Sequence, residues 1–162
     1  SQVFDCNVKI VPVEATPYNP VFIGIQQNSY TTNFSSGSVI PIDTANLNRG
    51  SCFNTSTYRF TAPWTGMYLF SSSTYLYCVN GNYTNYVHTM FWVNGGSNTR
   101  RPGGTLYRMR QYGFYGSYQH DGDICEPIYL TAGDYVDVRY YFNVTLQIYG
   151  NYGFFSGAFL GS

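Results

Sequence analysis

Charge is scarce in this sequence. Of 162 residues, only eight are Lys or Arg and eight are Asp or Glu, so the formal net charge at pH 7 is zero. Charged residues make up 10% of the chain, whereas an average globular protein has about 25%. A protein that binds nucleic acid electrostatically carries a basic face. The composition therefore argues against a nucleic-acid partner.

Long apolar runs and helical periodicity are missing as well. A membrane-spanning helix needs roughly 20 consecutive apolar residues, and no stretch approaches that length, so no membrane insertion is predicted. No segment sustains a helical period, while turn-forming residues recur about every 8–12 positions. The sequence therefore predicts an all-β domain, and these criteria leave a sandwich and a barrel both open.

Motifs of catalysis are absent too. The chain has no Gly-x-Ser-x-Gly sequence, no Walker loop and no Cys-x-x-Cys pair. His88 lies in a predicted strand, and His120 stands beside Asp121 without a partnered Ser or Cys motif. The sequence therefore predicts no catalytic residue, no enzymatic activity and no required cofactor.

One acidic cluster has the right atoms for a metal. Asp121, Asp123 and Glu126 supply hard oxygen ligands of the kind that bind calcium, although the twelve-residue EF-hand loop is not present. The alternative is a solvated acidic loop. We keep calcium as a possible cofactor, with Asp121 and Asp123 as its ligands.

The four cysteines leave the redox state open. Cys6, Cys52, Cys78 and Cys125 permit two disulfides in an oxidising compartment, or buried free thiols. Four Asn-x-Ser/Thr triplets permit glycans in a secreted protein, but such triplets are expected by chance in so Asn-rich and Thr-rich a chain. They begin at Asn33, Asn54, Asn82 and Asn143.

Aromatic residues are abundant. They form 20% of the chain and include 18 Tyr. Tyr combined with small polar residues is typical of antibody binding loops, and equally of β-strands, which favour Tyr and Thr. Both interpretations remain open.

The stretch Tyr58–Phe70 organises the prediction. Tyr58 and Phe60 alternate along one segment, and Tyr68 and Phe70 along the next, with Pro63 between them. Alternation sends side chains to one face of a strand, and proline interrupts a ladder. A strand, turn and strand with aromatic side chains directed into a core are predicted.

The remaining strands follow from the same patterns. We predict further strands at 21–25, 39–43, 86–93, 105–112, 125–130, 135–142, 145–149 and 154–159, with 66–79 as one long strand. Residues 44–51 and 113–123 are predicted to be loops. Asn80-Gly81-Asn82 and Asn94-Gly95-Gly96 are predicted turns, because Asn-Gly suits positive φ angles.

A spaced set of residues resembles the globular heads of the C1q family. Those residues are Asn48, Phe53, Phe60, Gly66, Tyr68 and Phe70, with Ile42 and Ser72 at two positions where the family has aromatic residues. Leu130–Val136 resembles the family's L-x-x-G-D-x-V turn, and Phe155–Gly161 its closing strand. The resemblance implies a ten-strand jelly-roll sandwich of C1q and tumour necrosis factor (TNF) type and a compact homotrimer.

The resemblance also divides the chain and implies recognition as its function. Residues 1–20 are expected to be a connector from an upstream shaft or an N-terminal strand, and 21–162 the head. The chain begins at Ser1 without Met, so we expect a fragment or mature domain of a longer protein. The first hypothesis is the receptor-binding tip of a viral or bacteriophage fibre. The alternatives are a secreted animal C1q-type lectin or signalling ligand, and a structural trimerisation cap without a ligand.

The expected partner is a cell-surface glycan or glycoprotein, met outside the cell or on a virion surface. Aromatic rings with polar tips and arginines suit sugars. The candidate ligand-binding residues, taken from the irregular segments, are Arg100, Arg101, Tyr112, Tyr115, Tyr118 and His120.

Overall fold

The structure is a computed structural model and describes residues 18–28, 34–81, 86–96, 107–108, 116–148, 150 and 152–162. These residues contain no helix, and hence none that could cross a membrane. They form thirteen strand segments: β1 (Val21–Gln26), β2 (Thr44–Arg49), β3 (Phe53–Asn54), β4 (Arg59–Thr61), β5 (Gly66–Ser73), β6 (Tyr75–Gly81), β7 (Val87–Val93), β8 (Tyr107–Arg108), β9 (Gly116–Asp121), β10 (Ile124–Leu130), β11 (Tyr135–Phe142), β12 (Thr145–Ile148) and β13 (Gly153–Gly161). The all-β prediction is confirmed.

The segments belong to two layers. The first sheet has the order β10-β5-β13-β1-β2, and the second has the order β3-β4-β11-β7-β8. A short ladder, β12-β6-β9, prolongs the first sheet, because β6, β9 and β12 continue β5, β10 and β13 beyond breaks at Thr74, 122–123 and 149–152. When each interrupted pair is counted as one strand, the described residues contain ten strands in two sheets.

The core between the sheets is aromatic. The ring of Phe22 on β1 stacks on Phe53 of the second sheet at 4.7 Å and meets the edge of Phe155 at 4.8 Å. Phe60 of β4 contacts Phe70 of β5 at 5.0 Å. Each such ring pair contributes about 0.5–1.5 kcal/mol beyond the burial of area. The rings that strand alternation directs inward therefore pack against one another and hold the two sheets together.

The two strands of the stretch Tyr58–Phe70 do not pair with each other, and Tyr58 lies outside the strand in which it was predicted. β4 pairs with β3 and β11, whereas β5 pairs with β10 and β13, so residues 62–65 cross from the second sheet to the first. Tyr58 has a φ of 59° and lies in the turn between β3 and β4. The turn forms because Asn54 Oδ1 accepts hydrogen bonds from the amides of Ser56 and Thr57.

Three boundaries also differ from prediction. Residues 39–43 contribute only an isolated bridge, Val39 to Arg139, while the predicted loop at 44–51 contains β2. The predicted Asn80-Gly81 turn lies inside β6, since Gly81 pairs with Gly116. The predicted loop at 113–123 contains β9, which pairs with β6. A cross-strand partner overrides the local turn preference in each case.

The second Asn-Gly turn is confirmed. Asn94 and Gly95 have φ angles of 53° and 71°, and the amide of Gly96 donates to the carbonyl of Val93 at 3.0 Å. Two consecutive positive φ angles are what Asn-Gly accommodates. The turn ends β7 where the sequence predicts it.

Candidate functional site

The outer face of the first sheet is unusually apolar. Because side chains alternate, the strands that send Phe22, Tyr68 and Phe155 into the core send other apolar residues to solvent. Eight large hydrophobic side chains are exposed in the part of the chain that the structure describes, and six of them lie there: Ile23, Met67, Leu69, Tyr129, Phe154 and Leu160, each 37–59% exposed. We call this surface the apolar face.

The strand register places these side chains in rows across the sheet. Leu69 at the centre stands between Pro127 of β10 and Ala158 of β13. Ile23 stands between Ser156 of β13 and Leu47 of β2. Leu69 and Ile23 therefore lie in adjacent rows of the same face, with Ser156 next to Ile23 in its row.

Charged side chains are found only at the margins of the apolar face, among the residues that the structure describes. Asp123 lies at the end near the strand breaks, and Arg49 lies on the edge strand β2, paired with Val21. Monomeric soluble proteins rarely expose a large contiguous apolar patch, and such patches mark interaction sites. The face is chemically suited to burial against another protein surface.

A groove opens at the Asp123 end of this face. It has a volume of about 420 Å³ and is lined by Ser71, Ser72, Ser73, Asp123, Ile124, Cys125 and Phe154. The Ser73 hydroxyl donates to Asp123 Oδ1 at 2.5 Å. Cys125, opposite Ser71, carries an exposed free thiol. The small side chains create the depression, and the Asp123 carboxylate is occupied by Ser73.

The outer face of the second sheet carries a different feature, a buried carboxylate held by two arginines. Asp137 on β11 has no solvent exposure. Its Oδ1 accepts from Arg139 Nε at 2.7 Å, and its Oδ2 accepts from Arg59 Nε at 3.0 Å and Arg139 Nη2 at 3.1 Å. A buried charge is tolerated only when paired and hydrogen-bonded, and these bonds meet that requirement. We call these three residues the arginine cluster.

Aromatic rings support both guanidinium groups. The guanidinium carbon of Arg59 lies 4.4 Å from the ring centre of Tyr135, and that of Arg139 lies 4.1 Å from the ring of Trp92. Trp92 in turn stacks on Tyr141 at 5.8 Å. Cations over aromatic faces are stabilised by about 0.5–2 kcal/mol. The side chains of the cluster are therefore fixed on two sides.

The structure describes only two of the six ligand residues that were predicted from the sequence. Arg100, Arg101, Tyr112 and Tyr115 lie outside the described residues. The backbones of Tyr118 and His120 lie in β9, paired with Cys78 and Leu76 of β6. Their proposed contact with a ligand stays a prediction.

The predicted calcium ligands lie on either side of a strand break. Asp121 ends β9 and pairs with Tyr75, whereas Asp123 follows the break and faces Ser73. The described residues contain no group of three or more His, Cys, Asp or Glu arranged to hold a metal. Calcium binding stays a prediction.

The residues that carry the family resemblance occupy structural positions. Phe60, Tyr68 and Phe70 are fully buried, and Phe53 is 4% exposed. Ile42 and Ser72, the two departures, are buried as well. The pattern therefore encodes the core and not a binding site.

Sequence reasoning missed the arginine cluster. Arg59 and Asp137 are 78 positions apart, and only the strand order brings them together. One local signal existed: charged residues alternate with apolar ones in Val136-Asp137-Val138-Arg139, which puts an acid and a base on one face of a strand. Their partner on β4 could not be read from that pattern.

Comparison with solved structures identifies the fold. The globular domain of zebrafish complement 1qA superposes with a TM-score of 0.54 at 14% identity, covering 88% of this chain and 98% of that one. Murine APRIL superposes with a TM-score of 0.55 at 19% identity, covering 88% of this chain and 99% of that one. Eiger TNF from S. frugiperda superposes with a TM-score of 0.60 at 13% identity, covering 89% of this chain and 94% of that one. No family model and no curated protein sequence matches the chain.

The chain is therefore a jelly roll of C1q and TNF type, and the predicted fold class is confirmed. The described strands account for both five-stranded layers of that fold. At identities below 20%, the likeness concerns the backbone architecture. The interaction surfaces have to be argued from this chain's own residues.

Proposed function

We propose that this domain is a non-catalytic recognition head that assembles as a homotrimer outside the cell. The observation that carries the proposal is the apolar face, which places exposed Leu69, Met67 and Ile23 on the same side of the first sheet. A closed, symmetric assembly of identical chains is the commonest way to cover such a face. The likeness to a complement head and to TNF-type proteins supports a threefold arrangement.

The compared structures favour a secreted ligand or lectin over a fibre tip. They are zebrafish complement 1qA, murine APRIL and Eiger TNF from S. frugiperda, and none of these three is a viral protein. We accordingly place the animal C1q-type alternative ahead of the fibre hypothesis. The partner in this proposal is a cell-surface glycoprotein or glycan, bound on the surface that assembly leaves open.

A pair of substitutions tests the assembly. Leu69→Glu puts a charge at the centre of the apolar face, where the side chain is 39% exposed in the single chain and tolerates a polar replacement. Thr61→Glu adds the same charge on the outer face of the second sheet, where Thr61 is exposed. We expect Leu69→Glu to release folded monomers and Thr61→Glu to leave the assembly intact, as measured by light scattering on a sizing column. Equal masses for both variants would refute the proposed interface.

Recognition needs a separate test, because a trimerisation cap would also assemble. We expect reproducible binding of the purified assembly to a glycan array or to receptor-bearing cells. Loss of that binding in Arg101→Ala or Tyr115→Ala would support the loop residues predicted from the sequence. An assembly that binds nothing on either platform would leave only the structural cap.

A further inference from the structure

Arg59 is a preorganised cation. Its Nε donates to the buried carboxylate of Asp137, and its guanidinium carbon lies 4.4 Å from the ring centre of Tyr135. A free arginine loses rotamer freedom when it binds a ligand, and this loss weakens binding. Here the fold has already fixed the side chain, so this cost is small when a ligand arrives.

The outward edge of this guanidinium is available. The Arg59 side chain is 34% exposed, and its two Nη nitrogens donate no hydrogen bond to any residue that the structure describes. The Nη1/Nη2 edge of a guanidinium matches the two oxygens of a carboxylate. The side chain of Arg139 is only 15% exposed, and three of its nitrogens are occupied. Arg59 is therefore the accessible member of the cluster.

The charges of the cluster do not cancel. Two guanidinium groups share the single carboxylate of Asp137, so one positive charge remains, and the more exposed arginine is Arg59. An approaching anion meets this charge without displacing an existing ion pair, because Asp137 keeps both of its bonds to Arg139.

Neutral hydrogen-bonding groups flank this edge. Asn54 pairs with Arg59 across the β3–β4 ladder, and its Oδ1 accepts hydrogen bonds from the turn amides, so Nδ2 is the remaining hydrogen-bonding group of this side chain. Thr61, two positions along β4 from Arg59 and on the same face, is exposed. One fixed cation beside an amide and a hydroxyl suits a ligand with one acid group and several hydroxyls.

We propose that Arg59, Asn54 and Thr61 form a site for the carboxylate of an acidic sugar. Arg59 pairs with the carboxylate through its Nη edge, and Asn54 and Thr61 meet the neighbouring hydroxyls. A polyanion would call for several unpaired cationic side chains together, whereas this cluster has one uncompensated positive charge. The site deepens the proposed recognition role by naming a ligand class and a location on the second sheet, away from the apolar face.

The test compares galacturonic acid, a sugar with a single carboxylate, with its methyl ester, which keeps the hydroxyls and loses the charge. Titration calorimetry on the unmodified assembly should show binding of the acid and at least about tenfold weaker binding of the ester, since a hydrogen bond to a charged group contributes about 1.5–3 kcal/mol. Equal affinity for the two sugars, or no binding of the acid at millimolar concentration, would overturn the proposal.

Three variants locate the site. Arg59→Lys retains the charge next to Asp137 but loses the bidentate edge, so affinity for the acid should fall about tenfold. Thr61→Glu replaces no residue of the arginine cluster but places a carboxylate beside the Nη edge of Arg59. It should abolish binding of the acid. Arg49→Lys is the matched control, because Arg49 also lies over a tyrosine, Tyr18, at 5.0 Å, and it should bind normally. Unchanged affinity in both Arg59→Lys and Thr61→Glu would refute the site.

The outcomes separate this proposal from the assembly. Acid-specific binding by a monomer would support the site and refute the proposed trimer. A trimer that does not bind the acid would support the assembly and refute the site. A short peptide rich in glutamate is the remaining probe. If it binds at Arg59 and galacturonic acid does not, the sugar assignment is wrong.

Discussion

Asn48 and Phe53 are joined by two hydrogen bonds that close the loop between β2 and β3. The Phe53 amide donates to Asn48 Oδ1 at 3.0 Å, and Asn48 Nδ2 donates to the Phe53 carbonyl at 2.7 Å. The side-chain amide therefore imitates a strand partner for a nearly buried residue. The segment turns within the intervening residues, where Gly50 and Ser51 both have positive φ angles.

Replacing Asn48 should destabilise the fold. Asn48→Ala leaves both backbone groups of Phe53 without their partner, and an unsatisfied buried group costs about 1–3 kcal/mol. We expect a fall of that order in the free energy of unfolding, measured by urea denaturation. Asn46→Ala, at an exposed position of the same strand, is the control and should stay within about 0.5 kcal/mol of the unmodified chain. Equal transitions for the two variants would contradict the assignment.

Gly157 should not tolerate a methyl group. A Cβ there would lie 2.6 Å from the Phe70 ring and 2.7 Å from the Phe22 ring, and overpacking a core costs about 1–3 kcal/mol. Gly157→Ala should therefore lower the thermal midpoint, as measured by calorimetry. At Gly96 the nearest atom would be 3.6 Å away, so Gly96→Ala serves as the control. A midpoint for Gly157→Ala equal to that of the control would contradict the packing of the aromatic core.

Cys52 and Cys125 should differ in reactivity. Burial raises the pKa of the Cys52 thiol to about 11, so it holds almost no thiolate near neutral pH, and thiolate is the reactive form. Cys125 is an exposed free thiol. Peptide mapping after iodoacetamide treatment should show modification of Cys125, and of Cys52 only after unfolding in urea. Comparable labelling of both in the folded protein would contradict the burial of Cys52.

His88 should give stability a shallow pH dependence. Partial burial lowers the pKa of His88 below its usual value of 6.5. The unfolded chain then binds the proton at a higher pH than the folded chain, so the full stability is present above about pH 6.5 and is lost as the pH falls through the lower, folded value. His88→Gln should flatten this fall in thermal midpoint between about pH 7 and 5. The effect should be small because His88 is only half-buried, and an unchanged slope in the variant would contradict it.

The core was predictable because its signal is local. Phe60, Tyr68 and Phe70 reveal their inward face through alternation within a few residues, and the structure buries all three. Strand pairing was less accessible. The segments around Phe60 and Tyr68 look like a hairpin in sequence, but hydrogen bonding to β11 and β13, more than 70 positions away, separates them into two sheets.

The surfaces were the hardest to predict. The apolar face consists of single residues, such as Ile23 and Leu69, that look like ordinary strand alternation until the sheet order places them side by side. The arginine cluster likewise depends on β4 lying against β11. Composition favoured ligand residues in segments predicted to be irregular, such as Arg101 and Tyr115. The apolar face and the arginine cluster lie on strands instead.

Sedimentation equilibrium of the unmodified domain measures whether further copies of the chain cover the apolar face. We expect a particle of three chains, each of 18.3 kDa, at micromolar concentration and above. A single-chain mass throughout the same concentration range would contradict it.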